Sequence, residues 1–88
     1  FYVYVLHSES DAGLYIGFSA DLGGGFANTK RARTSHRSSG TLALIYYEAY
    51  VEEADARGRE EFLKSGSGRT YLKRQCRHYF AIHPLRTA

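Results

Sequence analysis

Two short apolar segments joined by a polar loop constrain the fold of this chain most. Residues 1–6 are β-branched, aromatic or leucine side chains, which is typical of a strand buried on both faces. Residues 14–18 alternate, with apolar side chains on one face and Tyr15 and Gly17 on the other. The polar residues 7–13 between them have the length of a hairpin loop. We therefore expect the two segments to pair as neighbouring strands.

A third strand and two helices are predicted in the second half of the chain. Residues 42–50 return to a strand-like composition, and residues 52–64 have helical periodicity. Gly66 lies where a C′ glycine belongs, and Ser67 is placed to cap a last helix. The inner stripe of that helix is expected to contain Leu72, Cys76 and Tyr79.

The segment after the second strand carries contradictory signals. Ser19 and Asp21 offer N-cap chemistry, so a helix should begin near residue 20. The run Gly23–Gly25 then interrupts it, at a cost of about 3 kcal/mol of helix propensity relative to alanine. The predicted order is β-β-α-β-α-α, an α+β fold with a small three-stranded antiparallel sheet flanked by helices. With 88 residues we expect a single domain, 1–88.

Basic side chains are concentrated in two blocks, although the net charge is only +3. Residues 26–47 and 65–88 contain Lys and Arg but no acid, and the segment between them is acidic. Such blocks attract polyanions, above all nucleic acid, although they can also be solvated faces. The apolar runs are too short for a membrane span, and the single cysteine, Cys76, favours a reducing compartment. We expect a cytoplasmic protein with no membrane partner.

Glu60 is out of place on a purely structural helix. It lies on the same stripe as Ala56 and Leu63, the stripe that should face the sheet. Glutamate is rarely buried without a partner. Three alternatives remain: an internal ion pair with Arg57, Arg59 or a basic-loop residue, a bound cation, or a role as an acid or base.

The predicted hairpin places two tyrosines together. Tyr4 and Tyr15 are expected to be opposite or diagonal neighbours on one face of the paired strands. A buried tyrosine usually finds a partner for its hydroxyl. Gly17 leaves this face open to a close approach to the backbone. The alternative is an ordinary aromatic core cluster.

These residues, taken in order, resemble the paired signature of the GIY-YIG endonuclease superfamily. Residues 2–4 stand for the first triplet, with only the tyrosine matching strictly, and residues 15–17 match the second triplet fully. The resemblance continues through residues 21–22, the third strand, Arg59 with Glu60, and Gly68 with Arg69. The ordered set is similar to the compact stand-alone bacterial members of that superfamily.

The resemblance implies a metal-dependent nuclease that cuts phosphodiester bonds in DNA, as in DNA repair or recombination. It implies that Tyr4 and Tyr15 line the site and that Glu60 binds one divalent cation, Mg²⁺ or Mn²⁺. Our hypothesis is that Tyr4 is the general base and that Tyr15 orients water or phosphate. His36 is a further candidate for a catalytic or phosphate-binding role, with an exposed loop histidine as the alternative. The candidate phosphate contacts are Arg31, Arg33, Arg37 and Arg69.

The chain departs from the family pattern where the helix arginine is expected, because Gly25 stands there. In the family this arginine contacts the scissile phosphate. Either this chain has lost part of its phosphate-binding site, or the glycine run stands for an uncertain stretch of sequence. The first alternative favours a nucleic-acid-binding module that does not cut. A protein-interaction domain with solvated basic faces is a third possibility. Recognition of the substrate would depend on DNA structure, a partner protein or a homodimer.

Overall fold

The structure, a computed structural model, describes residues 1–20 and 42–85. The elements in chain order are β1 (Tyr2–Ser8), β2 (Leu14–Ser19), β3 (Leu42–Ala49), α1 (Glu53–Lys64), α2 (Gly66–Gln75) and α3 (Arg77–Ile82). The strands form one antiparallel sheet in the order β2-β1-β3, which confirms the predicted α+β class. The helix predicted near residue 20 and the run Gly23–Gly25 lie outside the described residues. Among the described helices, none combines the length and apolar character needed to cross a membrane.

The two faces of the sheet differ in what they carry. Val3 and Val5 of β1 are completely buried against Ala56, Leu63 and Leu72 of the helices, and we call this side the core face. Burial of each such valine or leucine side chain stabilises the fold by about 1.5–3 kcal/mol. The strand register places a second set of residues on the opposite side, which we call the tyrosine face: Tyr2, Tyr4, Leu6, Tyr15, Gly17, Ser19, Tyr47 and Ala49.

The hairpin loop is closed by its own polar groups. The backbone N–H of Ser8 donates to the Gly13 carbonyl at 3.0 Å, and Asp11 Oδ1 accepts from the Gly13 N–H at 2.9 Å. Ala12 has a φ of 56°, a left-handed conformation that few residues other than glycine adopt. These contacts set the start of β2 and therefore the register that places Tyr15.

The junction between α1 and α2 differs from the prediction. Ser65, and not Ser67, is the cap: its Oγ accepts from the Gly68 N–H at 3.1 Å and donates to the Phe62 carbonyl at 2.6 Å. Gly66 follows Ser65, the C-cap of α1, and so occupies the predicted C′ position, and it is also the first residue of α2. A Cβ on Gly68 would lie 2.7 Å from the carbonyl carbon of Phe62, so the two helix backbones touch there. With Ser65 as its N-cap, α2 starts two residues earlier than predicted.

The predicted last helix is two helices. Cys76 separates α2 from α3, with a non-helical φ of −110° and ψ of 37°. Leu72 is buried as expected, while Cys76 and Tyr79 are half-buried. The Tyr79 hydroxyl lies 2.6 Å from Nδ1 of His7, so the turn at Cys76 lets α3 pack against the end of β1.

Candidate functional site

The two tyrosines predicted to line the site are diagonal neighbours on the tyrosine face. Tyr4 pairs with Gly17, and Leu6 pairs with Tyr15, which confirms the expected arrangement. A Cβ on Gly17 would lie 2.5 Å from the Tyr4 hydroxyl oxygen and 2.6 Å from Cε1 of its ring. The close approach to the Gly17 backbone is therefore made by the ring of Tyr4 itself. Glycine at this position allows Tyr4 to lie flat across the strand.

Tyr15 is held by the hairpin loop. Its hydroxyl donates to Asp11 Oδ2 at 2.7 Å, while Asp11 Oδ1 accepts from the Gly13 backbone. Because one carboxylate serves both groups, the loop conformation and the direction of the tyrosine hydroxyl depend on each other. Sequence reasoning did not assign Asp11 a role. Its position four residues before Tyr15, in the loop of a predicted hairpin, was the available signal.

A cavity of about 270 Å³ opens at the edge of β2. We call it the edge groove, and its lining residues are Leu14, Tyr15, Ile16, Leu63, Lys64 and Arg69. It brings together two residues that the family resemblance selected, Tyr15 and Arg69. It adds Lys64, which sequence reasoning left out of the site. Arg69 is exposed and forms no ion pair with any residue in ranges 1–20 and 42–85. The groove thus presents two cations beside a fixed tyrosine.

Glu60 lies one helical turn before Lys64 of the edge groove. Only 17% of its side chain is exposed, and its Oε2 lies 3.0 Å from Lys64 Nζ. The expectation that this carboxylate turns toward the protein is consistent with that burial. The internal partners considered from sequence, Arg57 and Arg59, do not pair with it. Lys64 is its partner, at a helical i,i+4 spacing.

Arg57 and Arg59 pair with other glutamates. Arg57 Nε lies 2.9 Å from Glu53 on the exposed side of α1. Arg59 donates to both oxygens of Glu48 on β3, from Nε at 2.9 Å and from Nη2 at 3.1 Å. A bidentate pair of this kind is geometrically specific and stronger than a single contact. It links α1 to β3, so Arg59 is a structural residue in this fold.

The Glu48 carboxylate also accepts hydrogen bonds from Tyr46 and from Tyr50, the latter at 2.6 Å. Burial raises the pKa of Glu48, but the hydrogen bonds from Arg59, Tyr46 and Tyr50 outweigh it and hold the pKa below its ordinary value. Burial and the bond to Glu48 raise the pKa of Tyr46, and the bond to Glu48 raises that of Arg59. This carboxylate is saturated with donors, so it has no free position for a cation.

A divalent cation would depend mainly on Glu60. In the described parts of the chain, no three His, Cys, Asp or Glu side chains are grouped as metal ligands. The second oxygen of Glu60, Oε1, has no hydrogen-bond partner among those same residues. Mg²⁺ is commonly held by one or two carboxylates together with water and substrate phosphates. The donor set therefore fits a cation held by one carboxylate, water and a phosphate.

A second cavity, of about 490 Å³, lies where α3 meets β1. It includes His7, to which the sequence gave no role. The ring of His7 is buried, with Nδ1 next to the Tyr79 hydroxyl and with no hydrogen-bond partner for Nε2 within residues 1–20 and 42–85. Burial lowers the pKa of His7, and the Ala12 backbone counters this in part. A neutral histidine in this position helps α3 pack on the sheet.

Four of the candidate residues lie outside the described residues: His36, Arg31, Arg33 and Arg37. The same holds for Gly25, at the position of the expected helix arginine. Their roles stay predictions. No protein-family model, curated protein or solved structure matches this chain. The GIY-YIG resemblance therefore rests on the sequence motifs and also stays a prediction.

Proposed function

We propose that this chain is a metal-dependent endonuclease that hydrolyses phosphodiester bonds in DNA in the cytoplasm. The observation that supports the proposal most is the edge groove, which joins Tyr15 and Arg69 in one cavity. Both residues were selected from the sequence motifs alone. Glu60, the proposed metal ligand, is one helical turn from the groove through its contact with Lys64.

The groove has the chemistry to bind a phosphate. Lys64 and Arg69 supply positive charge on two different helices, and Arg69 in particular offers a planar set of donors suited to phosphate oxygens. Tyr15 of β2 also lines the groove, and its hydroxyl is held toward Asp11. In the proposed reaction Tyr15 orients the attacking water or a phosphate oxygen. Tyr4, which lies on the bare backbone of Gly17, is the proposed general base.

Glu60 would hold the metal. A bound Mg²⁺ or Mn²⁺ supplies positive charge to the scissile phosphate and lowers the pKa of a bound water. Lys64 is the partner of the Glu60 carboxylate in the absence of a metal, with Nζ 3.0 Å from Oε2. When a metal takes the place of Lys64 at Glu60, the lysine still lines the groove, where it would contact the substrate.

A nucleic-acid-binding module without catalysis is the alternative function. Two observations favour it: Lys64 already pairs with the proposed metal ligand, and Gly25 replaces the expected helix arginine. This alternative predicts DNA binding that weakens steeply with salt, without any metal-dependent cutting.

The test is to incubate the protein with plasmid, branched and single-stranded DNA, with Mg²⁺, Mn²⁺ or EDTA. We expect cleavage only with metal, and a loss of about 100-fold or more in Glu60→Gln, since a metal ligand is removed. Glu61→Gln is the matched control because Glu61 is the neighbouring, exposed acid of α1. Cleavage that survives Glu60→Gln would rule out the assigned metal ligand. Salt-sensitive binding without cleavage would support the alternative.

A further inference from the structure

Tyr47 is a large aromatic residue with half of its surface in water. It is 51% exposed, and it lies on β3 at one edge of the described sheet. The register pairs it directly with Tyr4 on the tyrosine face. Its hydroxyl forms no hydrogen bond with any residue in the described parts of the chain. Aromatic side chains left exposed on a sheet are a common means of binding the flat faces of other rings.

The ring of Tyr47 is already supported in its position. Tyr2 packs against it in an edge-to-face arrangement, with ring centroids 6.5 Å apart and an interplanar angle of 63°. Such a contact restricts the side-chain rotamers before any ligand arrives. A tyrosine has few rotatable bonds to order on binding, so a stacked ligand loses little affinity to conformational entropy.

The charges on the molecule favour a polyanion across this face. The strand residues of the tyrosine face are uncharged, and the carboxylate held at its Tyr15 end, Asp11, belongs to the hairpin loop and accepts from the tyrosine hydroxyl. Glu48, the acid next to Tyr47 in sequence, points to the core face and is neutralised by Arg59. At the far side of the sheet, the edge groove offers Lys64 and Arg69. A strand of nucleic acid bound in the groove would reach Tyr47 by crossing Tyr4.

The distance across the sheet suits one or two nucleotides. β2, β1 and β3 are neighbours, so Tyr15, Tyr4 and Tyr47 lie on three successive strands. Two strand spacings amount to about 10 Å. Intact duplex hides the faces of its bases in the stack, whereas single-stranded nucleotides offer them to aromatic side chains. A flat ring at this distance from the groove therefore selects an unpaired base.

We propose that Tyr47 stacks on an unpaired base next to the phosphate held at Tyr4 and the edge groove. The substrate class is then DNA with single-stranded nucleotides, such as gaps, flaps or unpaired loops, and not uninterrupted duplex. This inference rests on the proposed function for the identity of the ligand as DNA. It adds the feature by which the site recognises its substrate.

The experiment measures binding in EDTA, where no metal-dependent cutting takes place. Fluorescence anisotropy of labelled single-stranded and duplex oligonucleotides of equal length gives the affinities of the wild type, Tyr47→Ala and Tyr47→Phe. We expect Tyr47→Ala to weaken single-strand binding about 5- to 100-fold, and Tyr47→Phe to retain most of it, because stacking needs the ring and not the hydroxyl. Val51→Ala is the control, since Val51 is 89% exposed and lies just beyond β3, and it should bind like the wild type.

A second measurement needs no variant. An oligonucleotide with 2-aminopurine should lose fluorescence when the wild-type protein binds, because an aromatic ring stacks on the reporter base. No quenching at any reporter position, equal affinity for duplex, or an unchanged affinity in Tyr47→Ala would each overturn the stacking proposal. The two proposals fail separately. If the protein stacks on DNA but does not cleave it in Mg²⁺ or Mn²⁺, the endonuclease proposal is wrong. If the protein cleaves DNA and Tyr47→Ala binds single strands as tightly as the wild type, the stacking proposal is wrong.

Discussion

Replacing Glu48 by glutamine should destabilise the fold by about 2–4 kcal/mol, more than any surface substitution of the same kind. The side chains of Glu48 and Arg59 are 16% and 26% exposed, so solvent screens this pair only in part. Removing one partner of a fully buried pair costs about 3–5 kcal/mol. The remaining exposure lowers that figure, while the amide can still accept some of the hydrogen bonds from Tyr46, Tyr50 and Arg59. A domain of this size stands to lose a large part of its stability.

The assay is urea denaturation followed by circular dichroism, with thermal unfolding alongside. A loss of 2–4 kcal/mol corresponds to a fall in Tm of about 10–30 °C for a domain of this length. Glu53→Gln is the matched control, because it breaks the exposed pair with Arg57 on the same protein. That control should change stability by less than about 0.5 kcal/mol. Equal effects of the two substitutions would refute the view that the Glu48 network holds β3 to α1.

The pH dependence of stability in the wild type and in Glu48→Gln tests how much the charge of Glu48 contributes. The pKa of Glu48 is lowered in the folded state, so its ionised form stabilises the fold above the unfolded-state pKa. That contribution is lost as the pH falls through the folded-state pKa. The stability difference between the wild type and Glu48→Gln should therefore be constant near neutral pH and shrink below about pH 4.5. A difference that does not change with pH would mean that packing, and not charge, explains the loss.

Two other predictions concern the helix junction and the end of β1. Gly68→Ala should lower stability by more than about 2 kcal/mol, since its Cβ would overlap the Phe62 backbone, whereas Gly66→Ala meets no atom within 4 Å and should be neutral or stabilising by up to about 1 kcal/mol. Urea denaturation of both variants decides this, and equal effects would contradict the close helix contact. For His7, whose pKa is lowered by burial, the contribution to stability is fully present above its unfolded pKa of about 6.5 and is lost as the pH falls below it. His7→Phe should therefore flatten the stability profile below about pH 6.5, and an unchanged profile would show that another group titrates there.

Local sequence patterns were sufficient to predict the hairpin of β1 and β2 and the helix α1. The alternation in β2 places Tyr15 and Gly17 on one face regardless of what packs on the other, because side chains in a strand point to opposite sides in turn. The helix over 53–64 likewise follows from its own periodicity. Such features depend on neighbours along the chain, which the sequence displays directly.

The features that were missed or wrong depend on contacts between distant segments. The pairing of Arg59 with Glu48 requires α1 to cross β3, a relation that no spacing in the sequence displays. The edge groove has the same origin, since it forms only where α1 and α2 turn beside β2. The cap at Ser65 is an exception, because its hydroxyl bonds to Phe62 and Gly68, each only three residues away along the chain.

The position of the edge groove also bears on solubility. In the described sheet β2 has one neighbour, β1, and the outer side of such a strand can pair with a strand of another molecule. Lys64 and Arg69 line the groove along that outer side, and two such cations facing their copies on a second molecule would repel each other. The two residues that make the groove attractive to a phosphate thus also guard the strand against aggregation. We expect a variant with both cations neutralised to aggregate at a lower concentration than the wild type, which light scattering would measure.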